Sequence, residues 1–148
     1  MILNSGLFLT QNTVRVIGHR GCRGTMPENS IAGFKKAIVD GADGIEWDIV
    51  VNGEGNLVIS HEPYFHKDFC FDPNGKSIDN EKLYNIYKMT QDEIESFDCG
   101  SKVHPKFPEQ RKEIARKPLL KEAVAKLRST IRGKLILLAR VKSTNVPR

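Results

Sequence analysis

The sequence predicts an α/β fold, a sheet covered by helices, and three observations carry that prediction. "VRVIG" (Val14–Gly18) and "GIEWDIVV" (Gly44–Val51) are rich in β-branched and apolar residues, as buried strands are. Between them Ile31, Phe34, Ala37 and Ile38 recur at the spacing of one helix face. Towards the carboxyl end Leu120, Val124, Leu127 and Ile131 repeat the helical spacing ahead of "KLILLARVK" (Lys134–Lys142), another strand-like run. Strands alternating with helices build a sheet whose ligands gather outside the carboxyl ends of its strands.

Taken in order, the first strand covers Val14–Gly18 and leads into His19-Arg20-Gly21. Ser30 is placed to cap the first helix, and Gly41 to end it. The second strand is Gly44–Val51, followed by a turn cluster at Asn52–Asn56 and a third strand at Leu57–His61. A loop of four residues, Gly53–Asn56, would set His61 opposite Asp48. From Glu62 to Met89 no clean periodicity appears, so a long loop or insertion is expected, after which Thr90 and Glu93 form a capping box for a short helix. A basic run, Lys106–Lys117, reads as a solvated face. The last helix starts near Leu119 and closes at Gly133, and Lys134–Lys142 is the final strand.

Composition narrows the function classes. A chain of 148 residues, 39% hydrophobic and 28% charged, is expected to form a single soluble domain over 1–148. No apolar run approaches the roughly 20 residues of a membrane span. The opening "MILNSGLFLTQNTVRV" lacks the basic start and cleavage site of a secretory signal, so a cytoplasmic location is expected. Cys22, Cys70 and Cys99 are odd in number and form no Cys-x-x-Cys pair, and free thiols are expected. The net charge of +5 is spread without aromatic interleaving, so no nucleic-acid partner is predicted.

Chemistry concentrates at strand ends. Side chains two apart on a strand share a face, so Glu46 and Asp48 project together while Ile45, Trp47 and Ile49 project oppositely. A solvated edge would explain an isolated Glu-x-Asp, but Trp47, Ile49, Val50 and Val51 mark a buried strand. Two partly buried carboxylates repel unless a cation stands between them or one stays protonated, and oxygen ligands suit Mg²⁺ or Ca²⁺. His19 and His61 each follow a strand, and Arg20 adjoins His19. Imidazoles that exchange protons near neutral pH, a guanidinium for phosphoryl oxygens and a glycine loop suit hydrolysis of a phosphate ester. Glu28 is open to two roles, capping the first helix or orienting the site, whereas His66 and His104 read as exposed loop residues.

"GHRG", "PENS", Phe34–Ala37, "GADGIEWDIVV" and "LVISHEP", in that order, resemble the amino-terminal half of the glycerophosphodiester phosphodiesterase family, a branch of the TIM-barrel phospholipase-like superfamily. The resemblance covers residues 14–63 strongly, and "KPLLKEAV" and the last strand more loosely. It implies a partial TIM (β/α) barrel, about the first half of one. It implies that His19 and His61 are the general acid/base pair, that Arg20 binds phosphate, and that Glu46 and Asp48 hold one divalent cation, Mg²⁺ or Ca²⁺. Implied substrates are glycerophosphodiesters such as glycerophosphocholine, cleaved to an alcohol and glycerol 3-phosphate. The family's next strand reads approximately Asn-x-Glu-x-Lys, and Leu138, Arg140 and Lys142 stand in those places. Lys142 fits the phosphate contact; Arg140 replaces the carboxylate. A barrel of roughly 250 residues would be half built at Arg148, so the domain reads as truncated at its carboxyl end, with open edges available for self-association. The other reading is a catalytically silent fragment that acts at most as a phosphate-binding or assembly module.

Overall fold

A computed structural model of the protein describes residues 14–131, 133 and 135–142; the opening segment 1–13, Lys134 and the end at Arg148 lie outside them. Its elements are β1 (Ile17–His19), α1 (Ile31–Val39), β2 (Gly44–Val51), β3 (Leu57–Ile59), α2 (Gln91–Glu95), α3 (Leu120–Leu127) and β4 (Ile136–Val141). No helix among the described residues is long and apolar enough to cross a membrane.

β2 pairs with every other strand: parallel with β1 and β4, antiparallel with β3. Glu46 is opposite both His19 and Leu138, and Ile49 opposite both Ile59 and Val141, so β1 and β3 share one edge of β2 while β4 takes the other. The sheet is open, as in a partial barrel. On the helix-covered face Phe34, Ile45, Trp47, Ile49, Ile59, Ala123 and Leu127 form one core, with Phe34 edge-on to Trp47 at 5.5 Å between centroids. Because Trp47 and Ile49 are committed to that core, the intervening Glu46 and Asp48 must face the other way.

The ends of α1 follow its sequence. Ser30 Oγ accepts the Gly33 N–H at 3.0 Å, and the chain leaves the helix through Gly41 at φ 91°, a left-handed turn that suits glycine. The capping box of Thr90 and Glu93 forms as expected.

Several elements differ from expectation. β1 starts at Ile17 rather than Val14. The β2–β3 turn holds five residues, not four, because the Asn52 side chain accepts from the Glu54 and Asn56 backbone N–H groups and the Asn52 N–H bonds Asn56 O. That odd loop slips the register by one: Ser60 stands opposite Asp48, donating its N–H to Asp48 O at 3.0 Å, and β3 ends at Ile59 before His61. α3 stops at Leu127 instead of Gly133, where Ser129 and Thr130, weak helix formers, follow. β4 is shorter than Lys134–Lys142, and all six of its residues are exposed.

The stretch after β3 is not a featureless loop. Val50, Val58, Phe65, Cys70, Ile78, Ile86, Ile94, Phe97 and Cys99 form a second core. Cys70 and Cys99 are disulfide-bonded, against the expectation of free thiols; Cys22 alone is free. Two short 3₁₀ turns, Glu81–Leu83 and Ile86–Lys88, shape the segment. Asp98 Oδ1 accepts the N–H groups of Gly100, Ser101 and Ala115, which ties the disulfide loop to the approach to α3.

Candidate active site

The parallel pairing of β1, β2 and β4 lines up the residues after each strand. His19 is opposite Glu46 and Asp48 is opposite Arg140, so imidazole, carboxylates and guanidinium meet on the face away from the helices. His19 Nε2 lies 3.9 Å from Glu46 Oε1. Burial, followed by the charges of Arg23 and Arg20, lowers the His19 pKa against the pull of Glu46 and Asp48, which favours a neutral ring.

Arg20 enters from the loop after β1 with φ 54°, a strained conformation for a residue with a Cβ. The surroundings enforce it. A Cβ on Gly18 would stand 2.8 Å from the Gly21 carbonyl oxygen, so the loop folds this tightly only over glycine. The Asn29 N–H closes the loop onto Arg20 O at 3.0 Å. Arg20 Nη1 donates to Glu28 Oε1 at 2.8 Å, and its Nε lies 3.3 Å from Asp48 Oδ2. Glu28 therefore orients the site, while Ser30 caps the helix.

Asp48 is fully buried. Asn29 Nδ2 donates to its Oδ2 at 3.4 Å, and Lys142 Nζ lies 3.6 Å from its Oδ1. Lys142 also reaches His61 Nε2 at 3.1 Å, and His61 Nδ1 lies 2.5 Å from Glu62 Oε1. An ammonium can only donate, so Nε2 accepts from Lys142 and the ring proton sits on Nδ1, facing Glu62. His61 thus joins Asp48 through Lys142 rather than by facing it across the strands. Arg20, Glu28, His61, Glu62, His66 and His104 line a cavity of about 200 Å³ beside this cluster.

The donor set does not fit a divalent cation. Glu46 and Asp48 would supply two ligands, yet Arg140 Nη1 is 3.2 Å from Glu46 Oε1 and its Nε 3.9 Å from Asp48 Oδ1. Lys142 and Arg20 flank Asp48 as well, and among the described residues no three His, Cys, Asp or Glu side chains are arranged to hold a metal. Mg²⁺ or Ca²⁺ takes six or more oxygens, and positive charge stands beside both carboxylates where the remaining oxygen ligands would gather. Glu46 and Asp48 thus face one patch, as alternation on the strand predicts, with Arg140 beside them in place of a third carboxylate.

Other residues escaped sequence reasoning. His104 is buried rather than exposed, stacked on Phe69 at 4.9 Å with Nε2 3.9 Å from Glu28 Oε2. His66 stacks on Phe69 too, at 4.8 Å, and is partly buried. Lys117 and Ala115, at the end of the supposedly solvated basic run, are both buried. Their isolated positions in polar stretches gave no periodicity to find them by. Only the adjacency of Glu62 to His61 was visible.

Fold and site define a class: a partial α/β barrel with charged side chains gathered at the carboxyl ends of its parallel strands. The chain belongs to the glycerophosphoryl diester phosphodiesterase family, whose family model matches residues 19–143. It is 36% identical over 96 residues to a glycerophosphodiester phosphodiesterase of Caldanaerobacter subterraneus subsp. tengcongensis, an alignment covering 65% of this chain and 35% of that protein. The crystal structure of a Silicibacter pomeroyi DSS-3 protein described as a putative glycerophosphoryl diester phosphodiesterase superposes with a TM-score of 0.76 at 28% identity, over 88% of this chain and 46% of that one. An Oleispira antarctica phosphodiesterase, solved with the product sn-glycerol-3-phosphate, matches with a TM-score of 0.62 at 27% identity, over 87% and 45%. The chain thus spans about a third of the curated relative's length and under half of each solved structure.

Proposed function

We propose that this chain carries the proton-transferring and phosphate-binding part of a glycerophosphodiester hydrolase, with an alcohol and glycerol 3-phosphate as products. The observation that carries the reading is His61 held between Glu62 and Lys142, within one cluster with His19 and Arg20. In hydrolysis a water oxygen bonds to phosphorus as the bond to the departing alcohol oxygen breaks. One imidazole accepts the proton of water and the other supplies one to the alkoxide. The neutral tendency of His19 suits it to accept. Arg20 and Lys142 offer donors to the phosphoryl oxygens, and Glu28 keeps the Arg20 guanidinium in place.

A second reading, a phosphate-binding module without turnover, is favoured by Arg140, which occupies both carboxylates. Beside a small-molecule substrate, the exposed edge of β4 supports self-association, and nothing in the charge pattern favours nucleic acid.

The test is glycerol 3-phosphate release from glycerophosphocholine by the purified chain, with His19→Ala and His61→Ala beside it. Release that each substitution abolishes supports hydrolysis. Unimpaired release in either variant overturns the acid/base assignment, and phosphate binding without release selects the second reading.

A further inference from the structure

We propose that Lys117 is a positioning residue for His61, acting through Ser60; the inference rests on His61 being one of the proton-transferring groups. Lys117 is the residue before Pro118 on the approach to α3, and it lies within the protein rather than on it. Its Nζ donates to Ser60 Oγ at 2.7 Å, and Ser60 Oγ donates in turn to Glu62 O at 2.6 Å. Ser60 and Glu62 are the neighbours of His61 on either side. One hydroxyl, accepting from the ammonium and donating to the carbonyl, therefore closes a bracket around the imidazole-bearing turn.

Two backbone bonds fasten the bracket to the sheet. The Ile59 N–H reaches Pro118 O at 2.9 Å, and the Ser60 N–H reaches Asp48 O at 3.0 Å. The last cross-strand bond is that of Ser60, so beyond it the placing of His61 depends on the Lys117–Ser60–Glu62 contacts rather than on a strand ladder.

A buried ammonium is costly unless its donors and charge are matched. Apart from Ser60, Lys117 meets the face of Phe65, with Nζ 5.3 Å from the ring centroid. An apolar side chain of similar length would fill the space without that cost, so filling space does not explain a lysine here. Its charge is felt by the groups that frame the site from three elements: Glu28 and Arg20 in the loop after β1, Asp48 on β2 and Glu62 after β3. Burial brings its pKa down to about 8, against the opposing pull of Glu28 and Glu62, so the bracket changes charge in mildly alkaline solution.

The test reads the His61 ring by nitrogen-15 NMR in the full chain. In the wild type the Nδ1–H tautomer should exceed the other by about tenfold, as a charge-assisted bond to Glu62 requires. Its signals should shift with a midpoint near pH 8 as Lys117 deprotonates. Lys117→Met should bring the tautomers towards parity and abolish the alkaline step. Ser60→Ala keeps the charge, removes only the hydroxyl, and should relax the tautomer ratio even if the lysine variant does not fold. A folded Ser60→Ala or Lys117→Met protein with the wild-type ratio overturns the proposal, as does a wild-type ring with no preferred tautomer. Failure of hydrolysis itself shows separately, as glycerol 3-phosphate release that persists in His61→Ala.

Discussion

The two flanks of β2 hold their charged residues by different means. Towards β1, Arg20 is fixed by a left-handed backbone, a hydrogen bond to Glu28 and contact with a fully buried Asp48, and its side chain is 14% exposed. Towards β4, Arg140 meets the same carboxylate face, but its side chain is 55% exposed and no helix or further strand among the described residues covers it. Similar ion-pair distances therefore conceal unlike energetics. A pair sealed from water cannot turn to solvent when its partner is lost, whereas an exposed pair competes with solvent and salt.

The largest way to break the comparison is to remove each arginine. Arg20→Ala takes from Glu28 its hydrogen-bonded guanidinium and leaves the buried Asp48 to Lys142 and Arg140 alone, and should cost about 3–5 kcal/mol in urea unfolding. Arg140→Ala should cost no more than about 1 kcal/mol in the same measurement. Equal losses would show that β4 is as tightly held as β1. A packing pair sharpens the contrast: Phe34→Ala should lose about 3–5 kcal/mol from the helix-covered core, and Leu138→Ala, 43% exposed, well under half of that.

Smaller in stability but larger in chemistry is Arg140→Glu. It replaces the cation between Glu46 and Asp48 with a third carboxylate, and calorimetric titration should show Ca²⁺ or Mg²⁺ affinity at least about tenfold above wild type. Unchanged affinity would mean that Arg140 is not what makes the donor set unfit.

The smallest effect expected is with pH, and it belongs to the packed flank. Burial, then the nearby arginines, lowers His19; burial, with Arg23 and against Glu28, lowers His104. A ring whose folded pKa lies below its unfolded value of 6.5 favours the fold when neutral. That stability is complete above pH 6.5 and is lost as pH falls through the lower folded values. The melting temperature should drop between pH 7.5 and about 5, and less so in His104→Gln. An equal drop in that variant would assign the acid sensitivity elsewhere.

What the sequence revealed divides along the same line. β2 was legible to the residue because its β-branched run ends in a glycine at one side and a turn at the other. α1 was legible because its cap, its spacing and its terminal glycine agree. That Glu46 and Asp48 share a face was legible because alternation on a strand is a local rule. The β2–β3 register was not, since one asparagine side chain decided the loop count. The Cys70–Cys99 bond, the burial of His104 and the Lys117 bracket all join residues far apart in sequence, and no local period announces them.

The pairing pattern of the sheet also governs how the molecule comes apart. β1, β3 and β4 each bond to β2 and, among the described residues, none of them pairs with another, so the sheet is a star with one centre. Each arm can detach without releasing the other two, but losing the centre releases all three. Amide hydrogens of β2 should therefore exchange with solvent only through global opening, whereas the amides that β4 pairs should exchange through local fraying at far lower cost. The two carboxylates ride on the one strand that opens last, and the guanidinium facing them rides on an arm that opens early.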